Sequence, residues 1–161
     1  HYYPLCNKAP IQREYFRGPA LLSYGAASTY CRSHGSTLAS ISTVDDWNEA
    51  NSVCGQNNCW IGLRHNFNDD MTWRWDDSTR ITNSYGFNPD GSATTGQGPW
   101  YAGQPNQHGG FEEDCVVMYH EYETGKYTDT QCSGTYYPLC NKARRKYFKG
   151  VSRVTYQAAQ T

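Results

Sequence analysis

The 161-residue sequence lacks the features that mark several large protein classes. No apolar run approaches the roughly 20 residues of a membrane-spanning helix, so no membrane span is expected. Neither sign of charge dominates: 14 Lys and Arg stand against 15 Asp and Glu. A net charge of −1 supplies no global field to recruit nucleic acid, which is not expected as a partner. Aliphatic residues are sparse, with hydrophobic residues at 37% and charged residues at only 18%. Aromatic burial and covalent cross-links must therefore carry more of the stability. No Asn-x-Ser/Thr sequon is present, so N-glycosylation is not expected. No nucleophile elbow or spaced Ser/His/Asp motif appears, and the chain does not read as an enzyme.

Gly, Ser, Thr, Asn and Tyr fill the gap, with 14 Tyr among them. Seven Cys in so short a chain argue for an oxidising compartment, extracellular, secreted or at the cell surface.

The sequence also repeats itself. Tyr2–Ala9 and Tyr136–Ala143 are identical. After a two-residue slip, REYFRG at 13–18 answers RKYFKG at 145–150, and YGAAST at 24–29 answers YQAAQT at 156–161. The offset, about 132–134 residues, is one domain length rather than a short solenoid period. The copies have diverged, with Glu14 against Lys146 and Leu21 against Arg153, as neighbouring members of a repeat family do. The expectation is a window on a tandem array. Residues 1–8 are the last strand of a preceding repeat, 9–12 a linker, 13–142 one whole domain, and 143–161 a linker and the start of a following repeat. Cys6 is the copy of Cys140, so its partner is expected in the preceding repeat. A free or intermolecularly paired Cys6 is the alternative.

Within the central unit, Arg13–Phe16 reads as a short strand. Leu22–His34 reads as a helix, with Tyr24, Ala27 and Cys31 on one face and Gly35 as its stop. Leu38–Ile41 is a brief strand. Thr43-Val-Asp-Asp46 caps a second helix running to about Val53. Trp60–Leu63 and Thr72–Trp75 are strands, and Cys115–Tyr119, Lys126–Asp129 and Tyr136–Cys140 close the unit. From Asp76 to Asp114 there is almost no periodicity. A stretch that long in a compact domain is either disordered or a functional loop. Two helices, then strands and a very long loop held between cysteines make an α+β domain.

The ordered landmarks are the Cys31 helix, Leu-Ala-Ser-Ile at 38–41, Trp-Ile-Gly-Leu at 60–63, Trp73-Arg-Trp75, Trp100, Gln104-Pro-Asn106, Glu113-Asp-Cys115, Tyr127-Thr-Asp129 and Cys140. As a set they resemble the C-type lectin-like domain, over about residues 13–142. The resemblance implies an α+β fold of two helices and antiparallel sheets with a long calcium- and sugar-binding loop. It implies disulfides Cys31–Cys140 and Cys115–Cys132, and Cys54–Cys59 then follows by exclusion.

The resemblance also implies a site. Members that bind sugar do so through calcium, which takes about 6–8 oxygen ligands of mixed type. By motif position the metal ligands are Gln104 and Asn106 through amide oxygens, Glu113 and Asp129 through carboxylates, and Thr128. Pro105 is expected to be cis, aiming both amides at one point. Sugar contacts fall on Gln104, Asn106 and Glu113, with His108 and Phe111 placed to pack on a sugar's apolar face. Two departures stand out. Thr128 occupies the place where sugar binders usually carry Asn, and a hydroxyl is the poorer calcium ligand. Gln-Pro-Asn lies between the Glu-Pro-Asn form linked to mannose-type sugars and the Gln-Pro-Asp form linked to galactose-type sugars. At the family's auxiliary calcium positions the match is poor: Gln107 stands where an Asp would help, and Asp69, Asp70, Asp76 and Asp77 read rather as a solvated loop face.

Other residues read blandly. His34 is placed to interact with a helix end. Arg144-Arg-Lys146 falls in the linker and reads as a solvated or domain-contacting patch. Trp60, Trp73 and Trp75 are core by strand alternation, and Trp100 anchors the long loop rather than stacking on ligand. The stretch 85–99 is longer than the loop usually is at this point. Two functions follow: an extracellular calcium-dependent carbohydrate-binding module in a tandem, filament-forming protein, or a structural fibre that uses the fold as a brick. The partners implied are glycans and neighbouring copies of the same domain.

Overall fold

The computed structural model describes residues 12–66, 72–82, 84–106, 112–121 and 123–143. The first member of each repeat pair before Ile11, Cys6, Asp69, Asp70, Gln107, His108, Phe111 and the basic run 144–146 lie outside the described residues.

Strand β1 (Arg13–Arg17) is followed by helix α1 (Tyr24–Ser33), the two-residue strand β2 (Thr37–Leu38) and helix α2 (Val44–Cys54). Strands β3 (Cys59–Asn66) and β4 (Thr72–Trp75) come next. After the long loop, β5 (Cys115–Tyr119), β6 (Lys126–Thr130) and β7 (Tyr137–Ala143) complete an α+β fold.

Helix α1 starts two residues later than its apolar periodicity suggests. Ser23 is the N-cap, its hydroxyl accepting from the Ala26 amide at 3.4 Å, and Leu22 is instead bridged to Tyr136. Tyr24, Ala27 and Cys31 form its buried face. Gly35 follows the end at φ +64°, a left-handed conformation that favours glycine. At α2 a capping box is complete: the Thr43 hydroxyl accepts from the Asp46 amide at 3.1 Å, and the Asp46 carboxylate accepts from the Thr43 amide at 3.2 Å. Such a cap contributes about 1 kcal/mol.

The sheet runs β1-β7-β3-β5-β6, with β2 added on β7 and β4 on β3. Its pairs are antiparallel except β3 with β7, which run parallel at Cys59–Tyr137 and Trp60–Pro138. Gly62, inside Trp60-Ile-Gly-Leu63, is a close-approach residue. A Cβ there would sit 2.6 Å from the Leu38 carbonyl oxygen, and the Gly62 amide donates to the Ala39 carbonyl at 2.7 Å. Only glycine lets the segment after β2 cross the central strand this closely.

Both faces of the central strands are covered. Ile61, Leu63, Val116, Met118 and Tyr127 join Ile41, Trp75 and Trp100 in one buried cluster. Trp60 and Val117, alternating with them, join Tyr24, Ala27, Cys31 and Leu38 in a second under α1. Trp60 and Trp75 are buried, whereas Trp73 is only half-buried and lies against His65 and Trp100. Among the described residues three disulfides staple the fold: Cys31–Cys140, Cys54–Cys59 and Cys115–Cys132.

Candidate functional site

Within the described part of 76–114 there is no helix or strand, yet the loop is held at defined points. The Trp100 side chain is 1% exposed. Its indole N–H donates to the Gly86 carbonyl at 2.9 Å, and its ring meets Trp73, Phe87 and Tyr127. The backbone around it docks on β6: the Tyr127 amide donates to the Pro99 carbonyl at 2.6 Å and the Tyr101 amide to the Tyr127 carbonyl at 3.0 Å. Trp100 and Tyr127 thus form a parallel bridge. Sequence reasoning placed Trp100 as an anchor but missed Tyr127 as its dock, because no local pattern reports a contact across that distance.

This docking carries the next turn of the loop to Asp129. The Gln104 amide donates to the Tyr101 carbonyl at 2.9 Å, and the Gln104 carbonyl accepts from Gly96 at 3.0 Å. The Gln104–Pro105 peptide is cis. The Asn106 amide then donates to both carboxylate oxygens of Asp129, at 3.2 and 3.1 Å. Asp129 is 3% exposed. Two residues before Asn106, the Gln104 side-chain oxygen is buried and has no hydrogen-bond partner among the described residues.

Asn106 and Asp129 are therefore brought into contact, with Gln104 two residues before Asn106 in the same loop. Glu113 lies in the segment 112–114 that leads into β5 and is partly buried. Thr128 precedes Asp129 on β6, whose alternation buries Tyr127 and Asp129 on one face and leaves Thr128 half-buried on the other. His108 and Phe111 fall outside the described residues. Among the described residues, no group of three or more His, Cys, Asp or Glu converges. The donors on offer are amide and carboxylate oxygens with a hydroxyl beside them, a set that suits a hard cation such as calcium and not a thiolate- or imidazole-seeking metal. A buried Gln104 amide oxygen without a donor, two residues along the chain from the Asn106–Asp129 contact, fits such an ion on its own terms.

The neighbouring acids have structural duties. Asp76 accepts from Arg32 at 2.7 Å and from the Leu38 amide at 3.2 Å, and it is too well enclosed for a solvated loop face. Asp77 lies 4.0 Å from Arg13, whose guanidinium also holds Asp46 at 3.2 Å. At the end of α1 the His34 ring nitrogen Nδ1 meets the Tyr30 carbonyl at 2.8 Å, in keeping with a capping role.

Residues 20–142 match the family model of the lectin C-type domain. The chain belongs to the C-type lectin domain family. Bovine (Bos taurus) E-selectin is 26% identical over 133 residues, which are 80% of this chain and 24% of that protein. The chain thus spans about a quarter of that relative's length. Among solved structures, the cow C-type carbohydrate-recognition domain of CD23, determined in the presence of a GlcNAc2Man3 oligosaccharide, superposes with a TM-score of 0.65 at 22% identity. That match covers 87% of this chain and 99% of the other. Herring type II antifreeze protein superposes with a TM-score of 0.66 at 23% identity, covering 89% and 100%. These likenesses show the fold. A C-type lectin domain is a binding module and not an enzyme. The lectin domain's three disulfides fit an extracellular or cell-surface setting. Among its described residues no helix is long and apolar enough to cross a membrane.

Proposed function

We propose that this C-type lectin domain is an extracellular, calcium-dependent carbohydrate-binding module. The observation that carries the reading is the buried, unpartnered Gln104 amide oxygen, two residues before the Asn106 amide that Asp129 holds. Gln104 and Asn106 would hold the ion through amide oxygens and Asp129 and Glu113 through carboxylates, while the side chain of Thr128 faces the other side of β6 from Asp129. When bound, calcium supplies open coordination positions that two vicinal sugar hydroxyls complete. Asn106, Gln104 and Glu113 would hydrogen-bond those same hydroxyls, and His108 and Phe111 are by motif position alone the candidates to pack on the sugar's apolar face. The oligosaccharide named with the CD23 domain supports glycans as the ligand class.

The repeat of Tyr2–Ala9 at Tyr136–Ala143 supports a tandem arrangement. Nearly all of the second copy is strand β7, which lies between β1 and β3 in the sheet. Linkers this short restrict relative motion, so the array is semi-rigid and suited to a filament. Weak single sites in series gain avidity from effective concentration.

The test is retention of the protein on immobilised mannose and galactose, with calcium and then with EDTA. Retention with calcium, released by EDTA and absent in Asp129→Ala, is the expected result. No calcium-dependent retention on these or on a wider glycan array would leave a structural brick in its place.

A further inference from the structure

A groove of about 540 Å³ is lined by residues of β4 and of the long loop. Its volume falls within the range of ligand pockets, about 300–1,000 Å³. Pro105 is part of the lining, and the two chain neighbours of Pro105 are Gln104 and Asn106. The groove thus adjoins the segment that carries the candidate calcium ligands.

The apolar part of the lining is Trp73, Ile81 and Ala93, each partly buried and packed on the main core cluster. The Trp73 ring is fixed by its neighbours, with ring centroids 4.7 Å away at His65 and 5.4 Å away at Trp100. An aromatic side chain already held in place loses little freedom when a ligand arrives. The loop wall is equally preformed. The Gly91 amide donates to the Asn88 carbonyl at 2.9 Å, the Asn88 amide donates to the Ser92 carbonyl at 2.8 Å, and Phe87 is bridged to Ala93.

The polar part consists mainly of hydroxyls, with Thr82 half-buried and Thr95 exposed. Asp90 is the one charged group among the described lining residues. Its Oδ1 atom already accepts from the Ser92 amide at 2.9 Å and from the Ser92 hydroxyl at 2.6 Å. This lining sorts ligands by chemistry. An anion meets a carboxylate and no lining cation to answer it. A cation finds only an exposed carboxylate that Ser92 already engages. A wholly apolar ligand strips water from the threonine hydroxyls and replaces none of their hydrogen bonds. A neutral pyranose offers an apolar C–H face for the indole and hydroxyls around its edge.

We propose that this groove is a subsite for a neutral sugar unit of an oligosaccharide. The unit's C–H face lies against Trp73, its hydroxyls meet Thr82 and Thr95, and an adjoining unit of the same glycan occupies the calcium site. The placement of that adjoining unit rests on the calcium reading above, whereas the groove itself requires no metal. Two linked contacts raise the effective concentration of each, so a glycan of several units binds more tightly than a single sugar.

The experiment is an amide-resolved NMR titration of the full chain, run in EDTA and again in calcium. The probes are neutral trisaccharides of mannose, galactose and glucose, each beside its monosaccharide, with choline chloride and tetraproline as cation and peptide controls. In EDTA, saturable shifts are expected at residues 73, 81–82 and 91–95 and at the Trp73 indole N–H with at least one trisaccharide. In calcium that trisaccharide binds about tenfold or more tighter than its monosaccharide. Thr82→Phe, which fills the groove, removes about tenfold of trisaccharide affinity and leaves monosaccharide affinity in calcium unchanged. Trp73→Phe, which keeps a smaller ring, weakens the trisaccharide about threefold. Groove shifts in EDTA with no gain from calcium retain the subsite and sink the calcium reading. Calcium-dependent shifts at 104–106 and 129 with none in the groove do the reverse. Absence of groove shifts with all three trisaccharides at ~20 mM, in EDTA and in calcium alike, overturns the proposal. So does choline or tetraproline binding there as tightly, or unchanged trisaccharide affinity in folded Thr82→Phe.

Discussion

The backbone amide of Asn106 donates to both oxygens of the Asp129 carboxylate, at 3.2 and 3.1 Å, across 23 residues of sequence. One end of the contact lies in an irregular loop and the other in a regular strand. Asp129 is buried, so this is a charge-assisted bond in a poorly solvated place, about twice as strong as a neutral one. Replacing Asp129 with Ala orphans the Asn106 amide and is expected to cost about 1–3 kcal/mol even without calcium. Urea unfolding in EDTA measures that cost apart from any effect on ion binding.

Trp100 is the loop's hydrophobic anchor. Trp100→Ala removes a 1%-exposed indole that touches Trp73, Phe87 and Tyr127 and bonds the Gly86 carbonyl. A loss of about 3–5 kcal/mol is expected for such a truncation. Trp100→Phe keeps part of the packing and loses less. Limited proteolysis should show cleavage within 85–99 appearing in Trp100→Ala before global unfolding.

The three disulfides should differ in weight in the order of the loops they close. Sequence separations of 109, 17 and 5 for Cys31–Cys140, Cys115–Cys132 and Cys54–Cys59 predict contributions of about 5, 3 and 2 kcal/mol. Paired Cys→Ala variants unfolded in urea give the ranking. A Cys54/Cys59 double variant as unstable as Cys31/Cys140 would contradict it.

His120 should make the fold acid-sensitive. Its Nε2 meets the Asn51 side-chain oxygen at 2.5 Å, and burial lowers its pKa below the ordinary 6.5. The unfolded chain therefore binds a proton that the folded one refuses. The stability from this group is fully present above about pH 6.5 and is lost as pH falls from there through the lowered folded value. His120→Gln should flatten the decline of melting temperature between pH 7 and 5. A slope unchanged by the substitution would show that other groups carry the decline.

Much of the scaffold is legible in the sequence because its signals are local. The Thr43–Asp46 capping box announces α2, and alternating aromatics announce Thr72–Trp75. Strand ends are less so. β3 runs on to Asn66 because Thr72 pairs there, and β7 runs on to Ala143 because Arg13 pairs there. Neither partner is visible from the strand itself. Alternation told the face of Trp73 but not its depth, which depends on what the long loop lays over it. Gln104, Asn106 and Asp129 are readable only as motif positions. What brings Asn106 to Asp129 is the docking of Pro99–Tyr101 on Tyr127, a tertiary event without a local signature.

The most direct test of the central claim is the melting temperature of the chain in millimolar calcium and in EDTA, for the natural sequence and for Gln104→Ala. Calcium at about a hundred times its Kd stabilises the fold by about 2.7 kcal/mol, or roughly 5–10 °C for a chain of this size. The account predicts that rise for the natural chain and its near loss in Gln104→Ala. Equal melting temperatures with calcium and EDTA in the natural chain would contradict it.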